Sequence, residues 1–197
     1  LLGGFSVLLQ CLEYARITSS TSPHGVWAWS VQRADIPAQP AWLKHSLDWL
    51  YQPALYQLQL LVRATAAVAL MVVGNHLVIA LLLFTGNILL LIRWRGAFNG
   101  GSDFMSLVVL TGLLIEEVLR VLLEPELAAK AGLWYVTIHA ISSYFVSGWV
   151  KLMRPEWRSG RALTIFLNGG VYGPLSQNSL LRHPRLAQLG SWAFILW

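Results

Sequence analysis

The chain has 197 residues, a formal net charge of +5, 56% hydrophobic residues and only 12% charged ones. Soluble domains carry about 25% charged residues. Half that share, with a mean hydropathy of +0.57, excludes an ordinary soluble enzyme and a disordered chain and points to lipid as the solvent.

One cysteine, Cys11, excludes an internal disulfide framework, a cysteine-based zinc site and a CxxC redox pair. Ten tryptophans fit a protein with long membrane–water boundaries. Both ends lie in apolar runs, Leu1 to Leu12 and Gly190 to Trp197. The expectation is a single transmembrane domain over 1–197, truncated at both ends.

A spanning helix needs about 20 mostly apolar residues. Leu1 to Ala15 reads as the end of a first span, interrupted by Glu13. Arg16 to Gln52 is polar and irregular, with Pro23, Pro37 and Pro40, and its last part, Trp42 to Tyr51, reads as an amphipathic helix on the interface. Leu55 to Val73 is a second span with Arg63 inside it, and Gly74-Asn75 is a turn. His76 to Ile92 is the third span, ending at Arg93-Trp94-Arg95. Asn99-Gly-Gly-Ser-Asp103 is a second turn, with Asp103 expected to cap the next helix.

Phe104 to Leu123 is the fourth span, with Glu116, Glu117 and Arg120 in its second half and Pro125 to end it. Leu133 to Leu152 is the fifth. Met153 to Pro184 is polar, broken by Gly169-Gly170 and Pro174, and should not cross; Ser159 to Leu167 is expected as a short helix within it. Leu186 to Trp197 begins a sixth span. The fold class is therefore all-α, a polytopic membrane helix bundle with about six spans.

With alternating spans, Arg16, Arg33, Lys44, Arg93, Arg95, Lys151, Arg154, Arg158, Arg161, Arg182 and Arg185 fall on one side, and only Arg120 and Lys130 on the other. The positive-inside rule puts the first side in the cytoplasm, as in a bacterial inner membrane. Anionic headgroups account for the basic charge, and no nucleic acid is needed.

Ionisable groups inside spans are functional candidates because they are costly to place in hydrocarbon. Glu116 and Arg120 have the spacing of an intrahelical pair. Arg63 is expected to neutralise Glu116 or Glu117 across the bundle, or to snorkel. His76 follows a turn and fits the headgroup region. His139 is mid-span and stands between a packed, hydrogen-bonded histidine and a cofactor contact. Haem or chlorophyll ligation by either histidine stays open as a minor reading. Lys151, at a span end beside Trp149, either snorkels or acts as a base of lowered pKa. No GxSxG, HExxH or P-loop motif is present.

Tyr144-Phe-Val-Ser-Gly-Trp-Val-Lys-Leu152, followed by Trp157-Arg-Ser-Gly160, is the most distinctive stretch. It resembles the Tyr-Phe-x-x-Gly-x-x-Lys-Leu…Trp-x-x-Gly signature of the horizontally transferred transmembrane domain, the membrane domain of vitamin K-dependent γ-carboxylases and many bacterial proteins. Leu47-Asp-Trp-Leu-Tyr51 before span two and the Asn-Gly-Gly-Ser-Asp turn before span four fall in the matching order.

The resemblance implies a quinone or vitamin K-like cofactor and makes Lys151 the counterpart of the lysine that deprotonates the hydroquinone. Tyr144, Trp149 and Trp157 would wall such a site, with His139 deeper. Twelve residues at 1.5 Å each put His139 about 18 Å from Lys151 along a helix, too far for one small head group. The chain departs from the carboxylases in two places. Val150 stands where they have a second lysine, and Ser102-Asp103 stands where they have Asn-His. The carboxylases place the lysine face in the lumen, whereas the charge bias here puts it in the cytoplasm.

Two functions follow. One is an accessory or scaffold subunit that binds lipid or quinone and docks other membrane subunits. The alternative is a carboxylase-like membrane enzyme with Lys151 as base.

Overall fold

The computed structural model describes residues 1–36, 40–95, 100–169 and 174–196. The parts of the expected turns and ends at Pro37, Asn99, Gly170 and Trp197 lie outside them. Among the described residues every regular element is helical. The helices are α1 (Leu2–Arg16), α2 (Thr18–Thr21), α3 (Trp29–Gln32), α4 (Ala41–Leu50), α5 (Pro53–Val72), α6 (Leu77–Trp94), α7 (Gly100–Leu119), α8 (Pro125–Met153), α9 (Pro155–Arg158), α10 (Arg161–Leu167) and α11 (Pro184–Leu196). Short 3-10 turns lie at Arg33–Asp35 and Leu180–Arg182. The chain forms two compact units, Leu1–Val136 and Thr137–Trp197, with the boundary inside α8.

In the first unit, α1 packs on α5 and α7, α5 on α6, and α6 on α7. One apolar cluster joins Val7, Cys11, Ala67, Leu70, Leu83 and Leu110. A second, aromatic cluster joins Tyr14, Leu47, Tyr51, Tyr56, Leu60 and Trp94. Helix α5 starts with Pro53 at its first position, where no N–H partner is lost. Gly74, at φ +94°, makes the tight turn into α6. Helix α6 closes on Arg95, the one non-glycine residue described with positive φ (+47°); its guanidinium donates to the Gln32 carbonyl, 2.8 Å away. Gly112 and Gly132 let α7 and the start of α8 meet backbone to backbone: a Cβ on Gly132 would stand 2.5 Å from the Gly112 carbonyl oxygen.

In the second unit, α9, α10 and α11 pack on one another. Gly160, at φ +82°, turns the chain into α10 against the backbone of Ala187 and Gln188. The expected short helix is α10, and no long helix occurs among the described residues between Met153 and Pro184.

Among the described residues, two helices are long and apolar enough to cross a membrane, α5 and α6. Helix α7 has the length, but Asp103, Glu116 and Glu117 lie within it. Helix α8 is 29 residues long, and Glu126, Lys130, His139 and several aromatic and hydroxyl residues dilute its apolar stretch. It begins eight residues before the expected span. The Lys130 ammonium donates to Glu126 one turn back at 2.6 Å, which supports a solvated first turn. Pro125 does not terminate α7, which ends at Leu119; it opens α8.

Candidate functional site

A polar centre lies in the first unit where α1, α5, α6 and α7 meet. Gln10, Arg63, Asn87 and Asp103 are each at most 4% exposed, and Tyr14 is fully buried. Burying a charge this deeply demands partners. Arg63 Nη2 donates to Gln10 Oε1 at 3.0 Å and to Asn87 Oδ1 at 2.9 Å. Gln10 Nε2 donates onward to Asp103 Oδ1 at 2.6 Å and to Ser106 Oγ at 3.3 Å. Asn87 Nδ2 donates to the Asp103 carbonyl at 3.2 Å. The Tyr14 hydroxyl donates to Asp103 Oδ2 at 2.6 Å. Gln10 thus stands between the cation and the carboxylate, while Asn87 links the same cation to the Asp103 main chain. Arg63 Nε and Nη1 make no hydrogen bond among the described residues. Gly86 makes room for the arginine stem, since a Cβ there would stand 2.6 Å from Arg63 Cγ.

This arrangement corrects two expectations. Arg63 does not neutralise Glu116 or Glu117, nor does it snorkel; Gln10 and Asn87 hold it in the interior. Asp103 does not cap α7. The helix starts at Gly100, so Asp103 lies in its first turn, and its carboxylate is held by Gln10 and Tyr14 of α1. The expected charge pairing occurs at the end of α7: Arg120, the residue after the helix, pairs with Glu116 and, through Nη1, with Glu117 Oε1 at 3.2 Å. That second contact is ionic without hydrogen-bond alignment. Glu116 Oε2 also accepts from Asn75 Nδ2 at 3.1 Å, tying the α5–α6 turn to α7. A cleft of about 190 Å³ between α1 and α7, lined by Gly3, Ser6, Val7, Ser102, Ser106 and Leu110, reaches the polar centre at Ser106.

A second buried cation, Arg93, sits at the end of α6. It is 1% exposed and lies within 6 Å of the rings of Trp29, Tyr51, Tyr56 and Trp94. Cation–π attraction is strongest in such desolvated surroundings. Its Nη1 donates to Gln32 Oε1 at 2.6 Å. Arg93 is therefore an internal residue, not one of the loop charges expected on the basic side. Burial pushes the Tyr51 phenol up, with Arg93 pulling the other way, and its hydroxyl donates to the Leu89 carbonyl at 2.8 Å.

The residues drawn from the signature lie in the second unit. Lys151 is half-buried; its ammonium donates to the Phe194 carbonyl at 3.2 Å and stands 5.5 Å from the Trp157 ring centre. Tyr144 and Trp149, each about half exposed, line an open groove of about 510 Å³ with Ile141, Phe145, Leu152 and Ile195. Lys151, Trp157 and His139 are not part of its lining. His139 is exposed on α8, as is His76 before α6. Among the described residues, no group of three or more His, Cys, Asp or Glu side chains is placed to hold a metal ion.

Compared with protein-family models, curated proteins and solved structures, the chain matches none.

Sequence reasoning on charges found Arg63 but missed Gln10, Tyr14, Asn87 and Ser106 around it. The available signal was the pair of amides in otherwise apolar runs, Leu8-Leu-Gln10 and Asn87-Ile-Leu-Leu90. An amide in such a run needs a partner as a charge does, at lower cost.

Proposed function

We propose that the chain is a polytopic membrane protein of the horizontally transferred transmembrane type, with about six spans, and that it serves as a scaffold or accessory subunit. It binds lipid or a quinone-type molecule and docks other membrane subunits. Membrane placement draws support from α5 and α6: only 33% of each apolar window is buried, whereas the core helix of a soluble protein is mostly buried. The excess of loop arginines and lysines on one side supports a bacterial inner membrane with those loops in the cytoplasm.

The observation that carries the scaffold reading is the setting of Lys151. A lysine base needs a desolvated pocket beside its substrate. Lys151 instead reaches a main-chain carbonyl and an indole face at the end of α8, outside the groove lining. That is the posture of an anchoring lysine at a membrane boundary. The enzyme reading keeps one favourable observation: Tyr144 and Trp149 line a groove within two helical turns of Lys151.

The test uses membrane vesicles carrying the full chain or Lys151→Arg, supplied with reduced vitamin K, oxygen, labelled bicarbonate and a glutamate-rich peptide. The expected result is no label above vesicles lacking the chain, together with a stoichiometric membrane partner after cross-linking in native membranes. Quinone-dependent incorporation that disappears in Lys151→Arg overturns the scaffold reading in favour of the enzyme.

A further inference from the structure

The chain's net charge is confined to one of its two units. Residues 1–136 hold eight Lys or Arg and eight Asp or Glu, whereas residues 137–197 hold six of the former against Glu156 alone. Arg154, Arg158, Arg161 and Arg185 are exposed and, among the described residues, make no ion pair. This cationic surface begins where the apolar groove on α8 stops. The lining runs along Ile141, Tyr144, Phe145, Trp149 and Leu152, and Arg154 follows within two residues.

The groove itself is shaped for an elongated apolar group. Phe145 and Trp149 stack at 6.3 Å with nearly parallel planes, giving a flat aromatic wall. Gly148 lets α11 close against α8, since a Cβ there would stand 2.7 Å from the Ile195 carbonyl oxygen. Lys151 fastens the same two helices through the Phe194 carbonyl. Its volume, about 510 Å³, falls in the roughly 300–1,000 Å³ range of ligand clefts. An apolar trough whose lining helix is followed within two residues by arginines that make no ion pair among the described residues suits an amphiphile with a long tail and an anionic head.

We propose that the second unit binds one anionic glycerophospholipid. An acyl chain lies along Tyr144, Phe145 and Trp149, and the phosphate pairs with Arg154 and Arg158. Charge complementarity favours this occupant over a zwitterionic lipid, whose own ammonium offsets its phosphate, and over an apolar partner helix, which offers the arginines no anion. The inference rests on the membrane placement proposed above and holds for scaffold and enzyme alike.

The experiment uses the purified full chain in neutral detergent and phosphatidylglycerol carrying a diazirine in mid-acyl position. Photolysis is followed by mass-spectrometric mapping of the adducts. Adducts are expected within residues 140–152 and 195–196. Unlabelled phosphatidylglycerol should compete at least tenfold better than phosphatidylcholine. Each of Arg154→Gln and Arg158→Gln should weaken labelling about fivefold, and the double variant more than tenfold. These arginines are exposed, so the variants keep the wild-type helix content, which circular dichroism checks. Ile141→Trp, which narrows the groove without touching a charge, should reduce labelling as well. Adducts spread over the apolar faces of α5 and α6, equal competition by phosphatidylcholine, or indifference to both arginines overturns the proposal. A chain extracted from membranes by alkaline carbonate fails the membrane placement itself. One that stays membrane-bound but shows no phosphatidylglycerol preference fails this inference alone.

Discussion

The first unit buries two of its arginines, whereas among the described residues the second buries none. In Leu1–Val136 the cations Arg63 and Arg93 are almost wholly buried, each at most 2% exposed, and each is surrounded by groups that fit it. In Thr137–Trp197 the arginines are exposed and, among the described residues, make no ion pair. The difference teaches what each charge does. A buried guanidinium fixes the relation of the helices around it, because misplacing any one of them strands a charge in low dielectric. An exposed guanidinium fixes little within the fold and is free to act on something outside it. Substitutions in the first unit should therefore change stability, and those in the second should change association.

The largest effect is expected at Arg63. Arg63→Met leaves Asp103 buried with Gln10 and Asn87 no longer oriented by a cation. Removing one partner of a buried ionic network costs about 3–5 kcal/mol. Denaturant unfolding in detergent, followed by circular dichroism, should show that loss. Adding Asp103→Leu to Arg63→Met should restore part of it, since no charge is then left stranded. A single variant as stable as wild type would break the comparison at its strongest point.

Tyr14→Phe comes next. It deletes a hydroxyl that donates to Asp103 Oδ2 at 2.6 Å and leaves the ring packed against Trp94, 5.0 Å between centres. Hydrogen bonds to charged groups contribute about 1.5–3 kcal/mol, and the loss should fall in that range. Gly86→Ala should cost a similar or smaller amount, about 1–3 kcal/mol, because its Cβ would meet Arg63 Cγ and Cδ at 2.6 and 2.8 Å. Combining Gly86→Ala with Arg63→Met sharpens the point. The glycine's effect should shrink once the arginine stem is gone, and unchanged additivity would mean that Gly86 serves something else.

How far the sequence carried this picture follows the same division. Apolar runs of about 20 residues placed α5 and α6 within two residues at each end and located α7, because burial or lipid contact over a full span leaves a long signal. Met153 to Pro184 was legible as a segment of short pieces from its arginines, glycines and prolines. The partners of Arg63 were not legible. A charge inside an apolar run announces that it needs compensation, but which helix supplies it depends on rotation about each helix axis. Gln10 and Asn87, uncharged and single, gave no pairing. Arg93 was misread because an arginine at the end of an apolar run has the pattern of a flanking loop charge; only the fold brings Trp29, Tyr51 and Tyr56 around it. The start of α8 was placed late because Glu126 and Lys130, which support each other one turn apart, look like loop residues when read only for hydropathy. In the second unit, Tyr144 and Trp149 line the open groove, while Lys151 and Trp157 meet each other outside its lining.

The smallest effect is expected at Lys151, and it separates the two postures of a cation most finely. Its ammonium is half-buried, with one main-chain acceptor and one aromatic face. Both contacts ask for a positive charge at the end of a flexible stem, and an arginine supplies that too. Lys151→Arg should therefore stay within about 0.5 kcal/mol of wild type, as surface substitutions do. Lys151→Met keeps the stem and removes the charge. It should lose about 0.5–1.5 kcal/mol, the contribution of one hydrogen bond, because the Phe194 carbonyl then gives up its cationic donor. Denaturant midpoints of the three proteins in one detergent measure the series. An anchoring lysine predicts the order Lys, Arg, then Met. If instead Lys151→Met is as stable as wild type or more so, the ammonium is held at a cost, which stability alone does not repay. Lys151 would then belong with Arg63 among the charges kept for what they hold in place, and the line drawn between the two units would have to move.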